Sequence, residues 1–263
     1  MRPPWVIRTN RAFRRLYSEL QAGDLLLGRL AIKVHEEYLF SDLLARGVEA
    51  FPPLLAQHLA RSKCFQAQVF QNEMVPLTQV IRDRHDLIRA VNLYGEYGIK
   101  RVVTKQNRFN CGLGIHLWED IEILYNQATL ASDFPYPFVL QPFLSEITDV
   151  RVVILGDYLE AYARRNPYNF RHNIFFGGEA RPYTLSPEEL AFCRRIMVRG
   201  QFPYAHLDLM VTEERTYLSE INLRGGLKGA QIETQAYQEK IKALEESFLE
   251  EWLSRHPGAE IKT

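Results

Sequence analysis

The 263-residue sequence has no surplus of charge of either sign. Lys plus Arg and Asp plus Glu each number 32, so the formal net charge is zero. That excludes a protein held on nucleic acid by a broad basic field, though not a local basic patch. There is no run of about 18 apolar residues, the length that spans a bilayer. The start, MRPPWVIRTNRAFRRLYSEL, carries basic residues without an uninterrupted apolar core, so no secretory leader is expected. Cysteine is scarce and scattered: Cys64, Cys111 and Cys193 form an odd set without metal-like spacing. They argue against a disulfide framework and suit a reducing cytoplasm. Internal repeats and low-complexity segments are also lacking. With 46% hydrophobic and 12% aromatic residues, the composition is that of a globular protein, either one large domain or two to three lobes sharing a site.

Periodicity and turn chemistry give an element order. Asp24–Leu30 reads as a buried strand, His35–Ala45 as a helix, Val48–Pro53 as a strand and Gln57–Asn72 as a helix, with Pro76 opening an extended segment. Asp86–Tyr97 is an amphipathic helix closed by Gly98, Val102–Thr104 and Ile115–Trp118 are strands around a polar loop, Ile121–Ala131 is helical and Pro137–Leu140 is a strand. Val150–Leu155 and Tyr158–Ala163 flank Gly156-Asp157, a two-residue hairpin signal. Ser186 and Pro187 start a helix that runs to Val198. Two strands follow, joined by Glu213-Glu214-Arg215, and Glu233–Leu253 is a charged terminal helix. This mixture of helices and antiparallel hairpins predicts an α+β architecture and not a doubly wound parallel sheet.

The hairpin YAHLDLMVTEERTYLSEINLRGGLKG (Tyr204–Gly229) carries the chemistry. It brings together the oxygens of Asp208, Glu220 and Asn222, and Glu220 and Asn222 share a face because strand side chains alternate. Hard divalent cations take such ligands, although a solvated acidic face fits the same residues. In VVTKQNRFNCGLGIHL, Lys105 ends a strand and Gly112 and Gly114 follow; the loop can lay backbone N–H groups over phosphates while the lysine neutralises them. It is neither a Walker A loop nor a dinucleotide fingerprint, and an ordinary glycine hairpin remains open. Gln141-Pro142-Phe143-Leu144 reads as a hinge whose backbone could meet an adenine edge. Arg151, Arg165 and Arg171 suit a negatively charged transition state, and equally a charged surface.

Taken in order, these segments resemble the ATP-grasp superfamily, and within it the RimK-like carboxylate–amine ligases, over roughly Arg61 to Gln231. Ala-Arg-Ser-Lys63 stands at the first ATP-contacting lysine, and Val-Val-Thr-Lys105 with Gly112 and Gly114 at the second lysine and glycine loop. Gln141, Pro142, Phe143 and Leu144 fall at the adenine hinge, with Glu146 near the ribose. Asp149-Val-Arg151 corresponds to D-x-R, Arg171-His-Asn173 to R-x-N, and Asp208, Glu220 and Asn222 to the metal ligands. Phe109, Cys111, Pro142 and Gly225 depart from the family pattern without removing a charge or ligand.

The resemblance implies an ATP-grasp fold: two α+β lobes clasping ATP (63–140 and 141–263) behind a short N-terminal α/β lobe (1–62). It implies ATP and two Mg²⁺ or Mn²⁺ ions as cofactors, and an amino acid, peptide or protein as substrate. The cysteines, the charge balance and the lack of a long apolar run add the expectation of a cytoplasmic enzyme that binds neither nucleic acid nor membrane, and a homo-oligomer is left open. Lys63 and Lys105 would hold the α- and β-phosphates. Arg165 and Asn173 would face the transferred phosphoryl group, with Arg151 in support and Glu220 bridging the metals. The implied reaction forms an amide through an acyl phosphate. A kinase-like phosphotransferase and a non-catalytic nucleotide-binding partner protein are the alternatives. The basic segment Arg8–Arg15 could dock an acidic peptide but reads first as an exposed helix face, and His172 and His206 read as packing residues or supports for site residues before general bases.

Overall fold

Three sheets organise the computed structural model, which describes residues 2–109, 112–131, 133–172, 174 and 177–263. Labels follow chain order. The first sheet joins β1 (Trp5–Ile7), β2 (Leu25–Leu27) and β3 (Glu49–Phe51), and all its pairings are parallel. Its strands alternate between two cores. Val6, Leu25 and Leu27 face the large central cluster, whereas Trp5, Ile7 and Leu26 face a smaller one built with Phe13 of α1 (Asn10–Leu16) and Leu39, Phe40 and Leu43 of α2 (Tyr38–Ala45). A parallel sheet buried on both faces needs such continuous apolar runs, which LLL at Leu25–Leu27 supplies.

Asn10 to Arg15 thus form a helix whose inner side is buried by Ala12 and Phe13, while Arg14 pairs outward with Glu36 at 2.7 Å. The other edge of this sheet was not expected. The terminal strand β13 (Glu260–Lys262) lies parallel to β1, with Trp5 opposite Glu260.

The helix expected over Gln57–Asn72 is two helices, α3 (Leu54–Leu59) and α4 (Lys63–Val69). Ser62 causes the break. It adopts an extended conformation, and its hydroxyl accepts from the Phe65 amide as an N-cap. The cap makes Lys63 the first residue of α4 and fixes the direction in which its side chain leaves the helix.

The second sheet is antiparallel, in the order β4 (Gln79–Ile81), β7 (Phe138–Pro142), β5 (Val102–Gln106), β6 (Ile115–Trp118). Helices α5 (Arg84–Glu96), started by the Asp83 cap, and α6 (Ile121–Leu130) cover one face. Phe138, Leu140 and Val102 pack there against Leu87, Tyr94 and Leu124. Lys105 alternates with Val102 and Thr104 along β5, and Gly112 and Gly114 take positive φ values of 76° and 72° in the loop to β6.

The third sheet runs β10 (Glu179–Pro182), β9 (Tyr158–Arg165), β8 (Thr148–Leu155), β11 (Tyr204–Val211), β12 (Thr216–Asn222), all antiparallel. Gly156, at φ 63°, makes the two-residue turn between β8 and β9. Helix α7 (Pro187–Arg199), with a Ser186–Glu189 capping box, and α8 (Thr234–Arg255) contribute Phe192, Ile196, Ile241 and Trp252 to the central core. Completely buried Phe13 and Phe70 each add about 1.5–3 kcal/mol. The α+β class expected from the sequence is the observed one.

Candidate active site

The second and third sheets enclose, with one wall from the segment after β2 and from α3, a cavity of about 1010 Å³. Its geometry follows from strand register. In the third sheet, Asp208 lies directly opposite Arg151 on one side and Glu220 on the other. The next rung sets Asp149 between Arg164 and Met210. All four charged strand residues nearest Asp208 (Arg151, Glu220, Asp149 and Arg164) line the cavity, as does Asn222.

Each carboxylate meets a cation. Arg151 donates to Asp208 through Nε at 2.7 Å and Nη2 at 2.8 Å, a bidentate fork. Arg164 Nη2 lies 3.2 Å from the same carboxylate and its Nε bonds Asp149. Burial opposes ionisation of Asp208, but the two guanidinium groups outweigh it and hold its carboxyl well below the usual range. Burial, with the charge of Asp208 beside it, pushes Asp149 the other way against the pull of Arg164. Lys63 Nζ lies 2.9 Å from Glu220 Oε1 and also donates to the carbonyl of Phe109 in the glycine loop.

Lys105 is buried and donates to Ser219 at Oγ (3.1 Å) and at the carbonyl (3.3 Å). Ser219 is the extra residue where register shifts between Asp208 and Leu209. Burial drives Lys105 down to about 8, with Glu220 opposing the fall and Lys63 adding to it. Above these charges the walls are apolar: Val103, Leu117, Phe143, Ile147 and Met210 form a slot, with Gln141 and Leu144 at its edge. Arg101 stacks over Phe143 at 4.5 Å, and its carbonyl accepts from the Phe143 amide at 3.0 Å. An apolar slot ending in buried cations and paired carboxylates can take a planar base at one end and a polyphosphate at the other.

The glycine loop is tied down at several points. Asn107 Oδ1 accepts from Ser62 Oγ at 3.1 Å and from the Cys64 amide at 3.3 Å. Arg108 reaches Glu37 of the N-terminal lobe, with a 2.6 Å contact to Oε2. Arg171 donates to the carbonyl of Ile115 at the loop's exit.

Most residues expected from the sequence meet at this cavity: Lys105, Gly112, Gln141, Phe143, Leu144, Asp149, Arg151, Arg171, Asp208, Glu220 and Asn222 line it, and Lys63 reaches it through Glu220. Pro142 and Gly114 are not among the lining residues, and Glu146 is exposed beside Ser145 and Ile147, which are. Asn173 and Cys111 lie outside the described residues. Arg165 requires a correction. It is exposed, whereas Arg164 is buried in the cavity wall, because alternate strand residues face opposite sides. The sequence held the signal. Counting back from the Gly156-Asp157 turn, Leu155 faces Tyr158, and six residues further each way Asp149 faces Arg164.

Arg29, Arg61, Arg108, Arg224 and Lys228 also line the cavity without having been expected. His206 is buried beside Tyr237, 2.9 Å from its hydroxyl, and burial lowers it to about 4, so it is neutral at pH 7. His172 lines the cavity, where its Nδ1 accepts from the Asn166 amide at 3.3 Å.

No group of three or more His, Cys, Asp or Glu with metal-holding geometry occurs among the described residues. The oxygen set here is two carboxylates and one amide. It suits a hard cation, which would take the positions next to Asp208 and Glu220 that Arg151 and Lys63 now neutralise. None of the described helices is long and apolar enough to cross a membrane.

The model of the RimK-like ATP-grasp domain matches residues 57–244. A probable alpha-L-glutamate ligase of Trichodesmium erythraeum is 27% identical over 194 residues, which is 72% of this chain and 64% of the relative. A second such protein, from Shewanella frigidimarina, is 31% identical over 182 residues, 67% of this chain and 60% of its own. The chain therefore spans less than two thirds of either relative. Among solved structures, a RimK domain ATP-grasp protein from Sphaerobacter thermophilus superposes with a TM-score of 0.55 at 16% identity, over 93% of this chain and 98% of that one. A D-alanine–D-alanine ligase from Bacillus anthracis complexed with ATP gives 0.55 at 15% identity, over 94% and 84%. Both share the fold.

Proposed function

We propose, from the premise that this chain belongs to the RimK-like ATP-grasp family, that it is an ATP- and Mg²⁺-dependent carboxylate–amine ligase acting on amino acids or peptides. The observation that carries this is the opposed pair Asp208 and Glu220, beside two lysines and open to an apolar slot.

The slot between Val103, Leu117 and Met210 suits adenine. Lys63 and Lys105 are placed to meet the phosphates as compact charges. Asp208, Glu220 and Asn222 would hold Mg²⁺, which supplies charge neutralisation at the β- and γ-phosphates when bound. A substrate carboxylate oxygen then bonds to the γ-phosphorus as the bond to the β–γ bridging oxygen breaks, releasing ADP and leaving an acyl phosphate. An amine nitrogen attacks the acyl carbon, phosphate departs, and the nitrogen gives up its proton. Phosphoryl transfer of this kind depends on positioning and electrostatics more than on covalent help from the protein. Arg164 takes the place anticipated for Arg165: with Arg151 it keeps Asp208 ionised and presents positive charge to the transferred group. Closure of the Gly112–Gly114 loop would exclude water from the acyl phosphate.

The test is an ADP-release screen with Mg²⁺ against amino acids and acidic peptides, with amide products identified by mass spectrometry. Asp208→Asn and Glu220→Gln should abolish turnover while the fold persists. Full activity in both variants removes the reading. Amine-independent ADP release with a stable phosphorylated product would assign a kinase instead.

A further inference from the structure

The cavity is far more basic than the protein. Arg and Lys among its lining residues number ten and Asp and Glu three, in a chain of zero net charge. A triphosphate neutralised by its own divalent cations leaves that excess in place. Local pairing removes part of it. Arg151 and Arg164 hold Asp208 and Asp149, Arg108 holds Glu37, and Arg101 lies 2.9 Å from Glu119. Arg29 is different. It forms no ion pair and no side-chain hydrogen bond among the described residues.

Arg29 stands on a rigid base just past β2. The Gly28 amide donates to the Phe51 carbonyl at 2.6 Å, Asn10 Nδ2 donates to the Arg29 carbonyl at 3.1 Å, and the Leu30 amide donates to Gln57 Oε1 at 2.8 Å. Gln57 is itself buried and anchored on the Pro52 carbonyl at 2.7 Å. With its backbone held on both sides, Arg29 lines the cavity and stays exposed there. Two further arginines line the same cavity. Arg61 follows α3, where it donates to the Ile32 carbonyl and lies 3.8 Å from Glu37, and Arg224 lies two residues beyond Asn222, at most about 7 Å along the chain. Arg224 is exposed, with Glu245 at 3.7 Å and the Tyr204 hydroxyl as its neighbours. Arg29 remains exposed at the cavity, yet partial desolvation lowers its pKa, and the charges of Arg224 and Arg61 lower it further against the opposing pull of Tyr204 and Tyr237, so the three arginines lie within electrostatic reach. A cluster of like charges on a fixed scaffold is stabilised by an anion that meets them together.

We propose that Arg29, with Arg224 and Arg61, binds an oxyanionic group of the substrate, a carboxylate or phosphate remote from the carboxylate that is activated. This deepens the ligase reading and rests on it for the identity of the activated group. It makes Arg29 the residue that separates substrates with a second anionic group from neutral ones of the same shape.

The experiment is calorimetric titration of the full chain, with and without Mg·ADP, using glutarate, its monoamide glutaramate, and inorganic phosphate. The wild type should bind glutarate or phosphate, with glutarate preferred to glutaramate by about tenfold, the factor that one good charged contact supplies. Arg29→Gln should erase that preference, Arg29→Lys should keep part of it, and neither should change ADP affinity. If phosphate displaces glutarate and both are lost in Arg29→Gln, a phosphorylated substrate fits the corner as well. If phosphate binds without displacing glutarate, the corner takes carboxylates. Equal binding of glutarate and glutaramate with no phosphate binding, or a preference unchanged in Arg29→Gln, overturns the proposal. Failure of ADP to bind counts against the ligase reading alone, since the anion titrations without nucleotide still report on Arg29.

Discussion

Lys63 and Glu220 are joined by a 2.9 Å ion pair that ties the first residue of α4 to the edge strand of the third sheet, with the Phe109 carbonyl as the lysine's second acceptor. Both side chains are largely enclosed. The ammonium group therefore occupies the place of a cation at a carboxylate assigned to metal.

That substitution predicts a difference in how the protein responds to magnesium. Lys63→Met should lower the melting temperature in metal-free buffer, because a largely enclosed carboxylate loses its partner at a cost of about 1–3 kcal/mol. Added Mg²⁺ should raise the melting temperature more in Lys63→Met than in the wild type, where the metal has to displace the lysine. Thermal melts of both proteins across a Mg²⁺ series measure this. A smaller Mg²⁺ response in the variant would remove Glu220 from the metal set.

Neighbouring arginines should behave oppositely. Arg164→Gln leaves Asp149 and Asp208 sharing a buried site with one cation fewer, a change expected to cost about 3–5 kcal/mol and to suppress turnover. Arg165 is exposed, so Arg165→Gln should stay within about 0.5 kcal/mol of wild type and retain activity. Denaturant unfolding of the pair decides it, and the reverse ranking would contradict the register of β8 and β9.

Lys105 gives a pH dependence with a definite sign. Burial lowers it to about 8, so in the free protein it loses its proton as pH rises through that value. Phosphates favour the charged form and raise its pKa in the complex. ATP affinity should therefore fall as pH climbs from 7 to 9, with proton uptake on binding near pH 8. Calorimetry in buffers of different ionisation enthalpy reads the uptake directly. Lys105→Met should bind ATP weakly and without this uptake.

Gly225 passes close to a buried ring. A Cβ there would lie 2.6 Å from His206 Nδ1. Gly225→Ala should cost about 1–3 kcal/mol by overpacking. Combining it with His206→Ala should cost less than the sum of the two single changes, a coupling that a double-mutant cycle measures. Strict additivity would mean the turn relaxes away from the ring.

The legible parts of the molecule were those whose physics is local. Ser186 and Pro187 mark the start of α7 by capping chemistry, and Gly156-Asp157 fixes a hairpin by turn geometry. Asp208, Glu220 and Asn222 could be placed together because one hairpin carries all three. What escaped depends on contacts far apart in the chain. β13 is a strand only because β1 offers it an edge, and three residues such as Glu-Ile-Lys carry no signal of that. Ser62 was hidden inside an apolar period that continues on both sides of the break. Arg29 and Arg224 gave no motif at all, being nearly 200 residues apart and meeting only at the cavity wall.

The pairing of β1 with β13 also bears on the order in which the molecule can be assembled. During synthesis β1 emerges well before β13, and its outer edge stays uncovered until the two meet. Until then Trp5, Val6 and Ile7 present an unpaired edge next to apolar side chains, the kind of surface that recruits stray strands. The lobe that closes one wall of the cavity thus depends on a pairing between segments far apart in the chain, and loop closure of that length is slow. Formation of a complete binding cavity is therefore coupled to the docking of β13 against β1.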